Sequence, residues 1–162
     1  MTFEERVQSR QLVYQGGLVQ VERQEVTLPD QTTATREIVR HQPAVAMLMI
    51  TAQHKMIVEQ QWRAATGGLT VEIPAGKVES GETMDQAAVR ELNEETRLTA
   101  QHLEAVAQFY TSPGFTDELM KLYVATGLSA VATAFPQDPD EQIRLIKLDL
   151  ATAVSQVQTG QI

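Results

Sequence analysis

Apolar and polar positions alternate through most of the first half of the chain, and this period of two predicts strands. The segments are Arg10 to Tyr14, Leu18 to Thr27, Arg36 to His41, Ala44 to Ile50, Met56 to Gln61 and Leu69 to Ile73. Gln15-Gly16-Gly17 reads as a hairpin turn between the first two, and Pro74-Ala75-Gly76 as the stop after the last. The pattern then changes period. Thr83 to Thr96 predicts a helix, opened by Thr83 with Gln86 three residues later as a capping box. Strands follow near Leu103 to Tyr110 and Met120 to Ala125, then a loop from Gly127 to Pro139. A strand near Gln142 to Leu148 and a short helix near Ala151 to Gln158 complete the reading. Many strands with few helices indicate an α+β fold.

On a wheel of about 100° per residue, Met84, Ala87, Ala88 and Leu98 share one arc with Glu91 and Glu95. Thr83, Gln86, Asn93 and Arg97 fall opposite. Carboxylates four residues apart are neighbours one turn apart, with Glu94 beside them, and their repulsion worsens when water is removed. Two explanations are open on the wheel alone: a divalent cation held by the pair, or a solvated acidic face with Arg90 and Glu94 as an i,i+4 ion pair.

Composition narrows the chemistry. In 162 residues there is room for one good core, and a 43% hydrophobic and 21% charged content is that of an ordinary globular protein. With no cysteine, a metal must be held by oxygen or by His41, His54 and His102, which lack ligand spacing; magnesium, manganese or calcium are favoured. A net charge of -8 argues against a nucleic-acid backbone as partner. No stretch has the roughly 18 apolar residues of a membrane span, and the polar MTFEERVQSR start is unlike a signal peptide, so no membrane partner and a cytoplasmic location are expected.

The segment Gly76 to Leu98, GKVESGETMDQAAVRELNEETRL, resembles the Nudix box of the Nudix hydrolase family. Gly76, Glu82, Arg90, Glu91, Leu92, Glu94, Glu95 and Leu98 are in register, eight of nine fixed positions. Arg97 stands where the family has a helix-ending glycine. Its expected cost is on the order of 1 kcal/mol of left-handed backbone strain, so Arg97→Gly is expected to raise stability with little change in turnover.

The resemblance implies a Nudix fold: a mixed β-sheet sandwiched between α-helices, with an N-terminal antiparallel strand region. Residues 1–43 would be a dimerisation and adenine-site region of N-terminal strands, and 44–162 the Nudix domain. It further implies Mg2+, with Mn2+ as a substitute, held by Glu91, Glu95 and the carbonyl of Ala75. Glu94 would bind metal directly or through water, Arg90 would orient the glutamates, and Glu82 would brace the loop. Outside the box, Val58 to Arg63, Glu72 to Gly76 and Ser112 to Glu118 look like segments of the ADP-ribose pyrophosphatase subgroup. This marks Arg63, Glu72, Ser112, Gly114, Phe115 and Glu118 as substrate-binding; Trp62 is assigned to packing on residue type, because an isolated Trp buries much apolar area. A small nucleoside diphosphate conjugate, ADP-ribose first, hydrolysed to AMP and ribose 5-phosphate, is the implied substrate and a homodimer the implied assembly. In the subgroup a loop beyond the box supplies the general base. Within Asp138-Pro139-Asp140-Glu141 the first choice is Glu141, then Asp140 or Asp138. Other conjugates (NADH, nucleotide sugars) and a non-catalytic ADP-ribose or NAD-binding module are the competing readings.

Overall fold

A computed structural model of the chain describes residues 2–139 and 141–162. They divide into two compact units, 1–43 with 109–120, and 44–108 with 121–162.

The first unit is built on an antiparallel sheet in the order β1-β2-β3, with β1 Arg6–Gln15, β2 Val19–Thr27 and β3 Thr33–His41. The turn after Gln15 closes through Gly16 N–H donating to the carbonyl of Val19. Along β1 the register shifts between Val7 and Ser9 and again between Leu12 and Tyr14. Every residue of β1 is exposed, including Val7, Leu12, Val13 and Tyr14. Residues 109–120 dock on β3, where Val39 bonds Phe115 and Asp117 through its N–H and carbonyl respectively.

The second unit carries a seven-stranded sheet. Its main path is β10-β5-β4-β9-β8, with β6 added to β5 and β7 to β4. The strands are β4 Ala44–Ile50, β5 Lys55–Arg63, β6 Gly68–Glu72, β7 Ala75–Lys77, β8 Leu98–Tyr110, β9 Leu119–Ala130 and β10 Arg144–Asp149; the ends of β8 and β9 run into the first unit. Helices are α1 Met84–Thr96 and α2 Leu150–Gln158. Successive side chains of a strand point to opposite faces, and β4 makes both faces visible. Val45, Met47 and Met49 pack with Ile57, Tyr123, Ala125 and the α1 residues Ala87, Ala88 and Leu92. Leu48 and Ile50 pack with Met56, Val58 and Ala153 of α2. The sheet therefore lies between two helices, as expected. Alanines at 87 and 88 let α1 approach the sheet closely, and burying Leu92 contributes about 2 kcal/mol.

Three local expectations need correcting. Ala75–Lys77 forms β7 rather than only a stop, because its backbone pairs with Ala44 to Ala46 of β4. β9 continues to Ala130 through Gly127, the expected start of a loop; the glycine's φ of +67° fits inside the ladder. β8 starts at Leu98, directly after the helix.

Candidate active site

Helix α1 starts as its sequence predicts, with Gln86 N–H donating to Thr83 Oγ1 and Thr83 N–H to Gln86 Oε1. This cap, worth about 1 kcal/mol, fixes where the helix begins and hence which residues face the sheet. Asp85 in the first turn accepts from Lys121 Nζ at 2.7 Å and from the Tyr123 hydroxyl. Those donors hold its carboxyl below the usual range, and its charge favours the helix N-terminus.

Two of the box glutamates are buried against the sheet. Glu91 and Glu95 are 9% and 5% exposed. Glu91 Oε1 accepts from Arg90 Nη1 at 2.8 Å. Glu95 Oε2 has no hydrogen-bond partner. Burial pushes the Glu95 carboxyl up to about 10, helped by the charges of Glu59, Glu91 and Glu141. Burial also raises Glu91, against the opposing pull of Arg90.

Arg90 is the hub of the region. Its Nε and Nη2 donate to Glu82 at 3.0 and 2.9 Å, its Nη1 to Glu91 and Glu94 at 2.8 Å each, and Nη2 also to the carbonyl of Lys77 at 2.8 Å. One guanidinium thereby ties the helix to β7 and the preceding loop, using the fixed fork that lysine lacks. Glu82 closes the loop by accepting from Glu79 N–H at 3.0 Å. β7 runs so close to the helix that a Cβ on Gly76 would lie 2.0 Å from the Glu91 carboxylate. Glycine is required there for close approach, and Ala75 is held beside it.

A residue the sequence reading missed completes the group. Glu59 is 0% exposed, and its Oε2 is also without a partner, while Oε1 accepts from Gln61 Nε2 at 2.8 Å. Burial pushes this carboxyl up to about 7. A signal was available: Ile57, Glu59 and Gln61 share one face of β5, the face that Ile57 turns toward α1.

Arg63 and Glu72 meet across β5 and β6, Nε to Oε1 at 2.8 Å, with Thr70 Oγ1 donating to the same oxygen at 3.1 Å. Arg63 and Glu141 line one cavity of about 350 Å³ with Gln61, Trp62, Lys77, Asp138 and Gln142. Trp62 does not pack in the core as expected: it is 62% exposed, on the strand face opposite Gln61. Asp140 lies outside the described residues.

Arg97 closes the helix in the left-handed region, φ 59° and ψ 25°, its N–H donating to Asn93 O. Arg97 also reaches beyond the helix end, where its Nη1 donates to the carbonyl of Phe135.

Ser112, Gly114, Phe115 and Glu118 belong to the first unit. The carbonyl of Ser112 accepts from the N–H groups of Phe115 and Thr116, closing a turn that leaves Phe115 exposed. A Cβ on Gly114 would meet nothing. Glu118 accepts from Thr111 Oγ1 at 2.6 Å and lies 3.2 Å from His41 Nδ1.

Whether the box can hold a cation is a question of its donors. Among the described residues no three Asp, Glu or His side chains form a complete cage. A magnesium-type ion does not need one, since it takes one or two carboxylates and leaves positions for water and substrate phosphate. The buried oxygen of Glu95 without a donor, beside Glu91 and the close-packed Ala75–Gly76 backbone, fits that role.

Comparison with known proteins agrees with this architecture. Residues 40–160 match the NUDIX domain, and the chain belongs to that family. Nudix hydrolases generally act with a divalent metal. The chain is 41% identical over 160 residues to a methanol dehydrogenase activator of Bacillus methanolicus, covering 99% of this chain and 86% of the relative. It is 36% identical over 161 residues to an ADP-ribose pyrophosphatase of Bacillus subtilis, covering 99% and 87%. A crystal structure of an ADP compounds hydrolase superposes with a TM-score of 0.83 over 96% of this chain and 83% of the other; at 19% identity this speaks for the fold.

Proposed function

We propose that the protein hydrolyses the pyrophosphate bond of ADP-ribose, giving AMP and ribose 5-phosphate, in a magnesium-dependent reaction. The observation that carries this reading is the pair of buried box carboxylates, Glu91 and Glu95, one with an oxygen lacking any donor. Similarity along nearly the whole chain to a protein named ADP-ribose pyrophosphatase supports the substrate.

Glu91, Glu95 and the Ala75 carbonyl would hold the ion, with Glu94 binding directly or through water. When bound, such a cation neutralises phosphate charge and acidifies the attacking water. Arg90 keeps Glu91 and Glu94 in place through the bonds described above. Arg63, aimed by Glu72, faces the cavity and would bind a substrate phosphate. Glu141 lines the same cavity and would take the proton from water as its oxygen attacks phosphorus and the bridging P–O bond breaks. Ser112, Gly114, Phe115 and Glu118 would shape the substrate pocket. We place the enzyme in the cytoplasm as a homodimer; the exposed apolar side chains of β1 support the pairing.

The test is a product assay with ADP-ribose, NADH and ADP-glucose in parallel, with magnesium and again with excess EDTA. AMP and ribose 5-phosphate formed fastest from ADP-ribose, and only with metal, is the expected outcome. Preference for another conjugate would overturn the substrate, and full turnover in EDTA would overturn the metal.

A further inference from the structure

Helix α1 uses both of its sides. The arc opposite the buried glutamates carries Asn93 and Arg97, which on amphipathic grounds belongs in water, yet Asn93 is buried. What covers it is the segment following β9. Asn93 Nδ2 donates to the carbonyl of Thr133 at 3.0 Å, and Phe135 N–H donates to Asn93 Oδ1 at 2.9 Å. Arg97 adds two more links: its carbonyl accepts from Val131 N–H at 3.2 Å, and its guanidinium donates to the carbonyl of Phe135. Four hydrogen bonds therefore fasten residues 131–135 to the last turn of the helix that bears Glu91, Glu94 and Glu95.

The fastened segment leads, three residues later, to Asp138 and then Glu141, both lining the cavity with Arg63. Segment 131–139 has no regular secondary structure of its own. An amide side chain that satisfies a backbone N–H and a backbone carbonyl together imitates a strand partner, and so fixes an irregular segment in one register. Arginine suits the last position because its long planar head reaches a carbonyl that glycine cannot.

We infer that Asn93 and Arg97 are positioning residues for the proposed reaction, clamping segment 131–135 so that Asp138 and Glu141 are presented to the cavity that Arg63 lines. This rests on the reading of Glu141 as proton acceptor. It also explains an arginine in the left-handed position: the guanidinium bond offsets the backbone strain. Arg97→Gly should then separate two effects that a purely structural residue would keep together. Helix-end strain is relieved, so the melting temperature stays at or above that of the wild type, while the acidic stretch is less well placed and kcat falls. Misplacement of a reacting group on the order of 1 Å can cost about 100-fold, and a fall of about 10- to 100-fold is expected.

The experiment measures kcat, KM for ADP-ribose and magnesium dependence for wild type, Arg97→Gly, Arg97→Lys, Asn93→Ala, Glu141→Gln and the double variant Arg97→Gly/Glu141→Gln. Amide hydrogen exchange is followed on the same proteins. Expected are a kcat loss in Arg97→Gly and Asn93→Ala with KM and the magnesium requirement near wild type, partial recovery in Arg97→Lys, and no further loss when Arg97→Gly is added to Glu141→Gln. Faster exchange at Phe135, with the amides of α1 unchanged, is the readout independent of activity. Wild-type kcat in Arg97→Gly overturns the inference, as does full additivity with Glu141→Gln. Wild-type kcat in Glu141→Gln sinks the base assignment and the catalytic part of the inference with it. Unchanged exchange at Phe135 in both clamp variants sinks the clamp alone.

Discussion

In the unit built on β1 to β3, Glu22 and Asp117 lie against Arg40, at 3.1 and 2.9 Å, and Asp117 also accepts from His41 N–H at 3.0 Å. These bonds hold both carboxyls below their ordinary range. In the helical unit Glu59, Glu91 and Glu95 are buried, two of them with an oxygen that no donor reaches, and all three are raised. The same functional group is thus treated in opposite ways within one chain. Paired, half-exposed carboxylates explain themselves as structure. Buried ones without donors cost stability, and such a cost is tolerated where a ligand of opposite charge completes the site.

The largest test of that contrast is Glu95→Gln, which removes the charge and keeps the shape. Turnover should fall by about 10³-fold or more, since metal clamping is worth several kcal/mol at the transition state. The metal-free variant should melt no lower than wild type, because burial already keeps Glu95 neutral without metal and glutamine reproduces that neutral shape; equal loss of activity and stability would erase the distinction between the units. Next in size, Glu141→Gln should lower kcat by about 10² to 10⁴ with the magnesium titration unmoved. Wild-type kcat there would move the base to Asp138 or Asp140.

Asp117→Asn should behave in the reverse sense. It weakens the links to Arg40 and His41, and since these groups are a third or more exposed the loss should be about 1 kcal/mol, read by urea unfolding, with magnesium affinity unchanged. An effect on metal affinity would contradict the assignment.

The smallest expected effect is on pH. Lowered carboxyls such as Asp117 contribute stability that is present above their unfolded value and lost as acid protonates them. Raised ones such as Glu59 and Glu95 contribute stability that is full below about 4.5 and lost as pH rises through about 7 and about 10. Metal-free protein should therefore melt a few degrees lower at pH 9.5 than at pH 6, with magnesium reversing the trend. Calorimetry across that range, with Glu95→Gln giving a flatter curve, is the check.

What the sequence made legible follows from range. The capping box, the helical period and the positions of Glu91 and Glu95 depend on residues within a few turns of each other, and the structure has them as the pattern implies. β7 was hidden because the three residues Ala75 to Lys77 are too few to show a period, and only pairing with β4 makes them a strand. Glu59 was hidden because its meaning depends on Glu91 and Glu95 of α1, which are distant in sequence. The bonds of Asn93 and Arg97 to segment 131–135 are as distant, so their polar character read simply as a solvent face. Trp62 was assigned to packing from residue type alone, whereas its place at an exposed strand position decided otherwise.

The central claim is that the buried pair Glu91 and Glu95 is completed by a divalent cation. It is tested most directly by following the melting temperature of EDTA-treated wild type, Glu95→Gln and Asp117→Asn as magnesium is titrated back. Wild type and Asp117→Asn should rise in parallel and saturate, while Glu95→Gln, already at or above the wild-type value without metal, should barely respond. A rise in Glu95→Gln equal to that of wild type would contradict the claim.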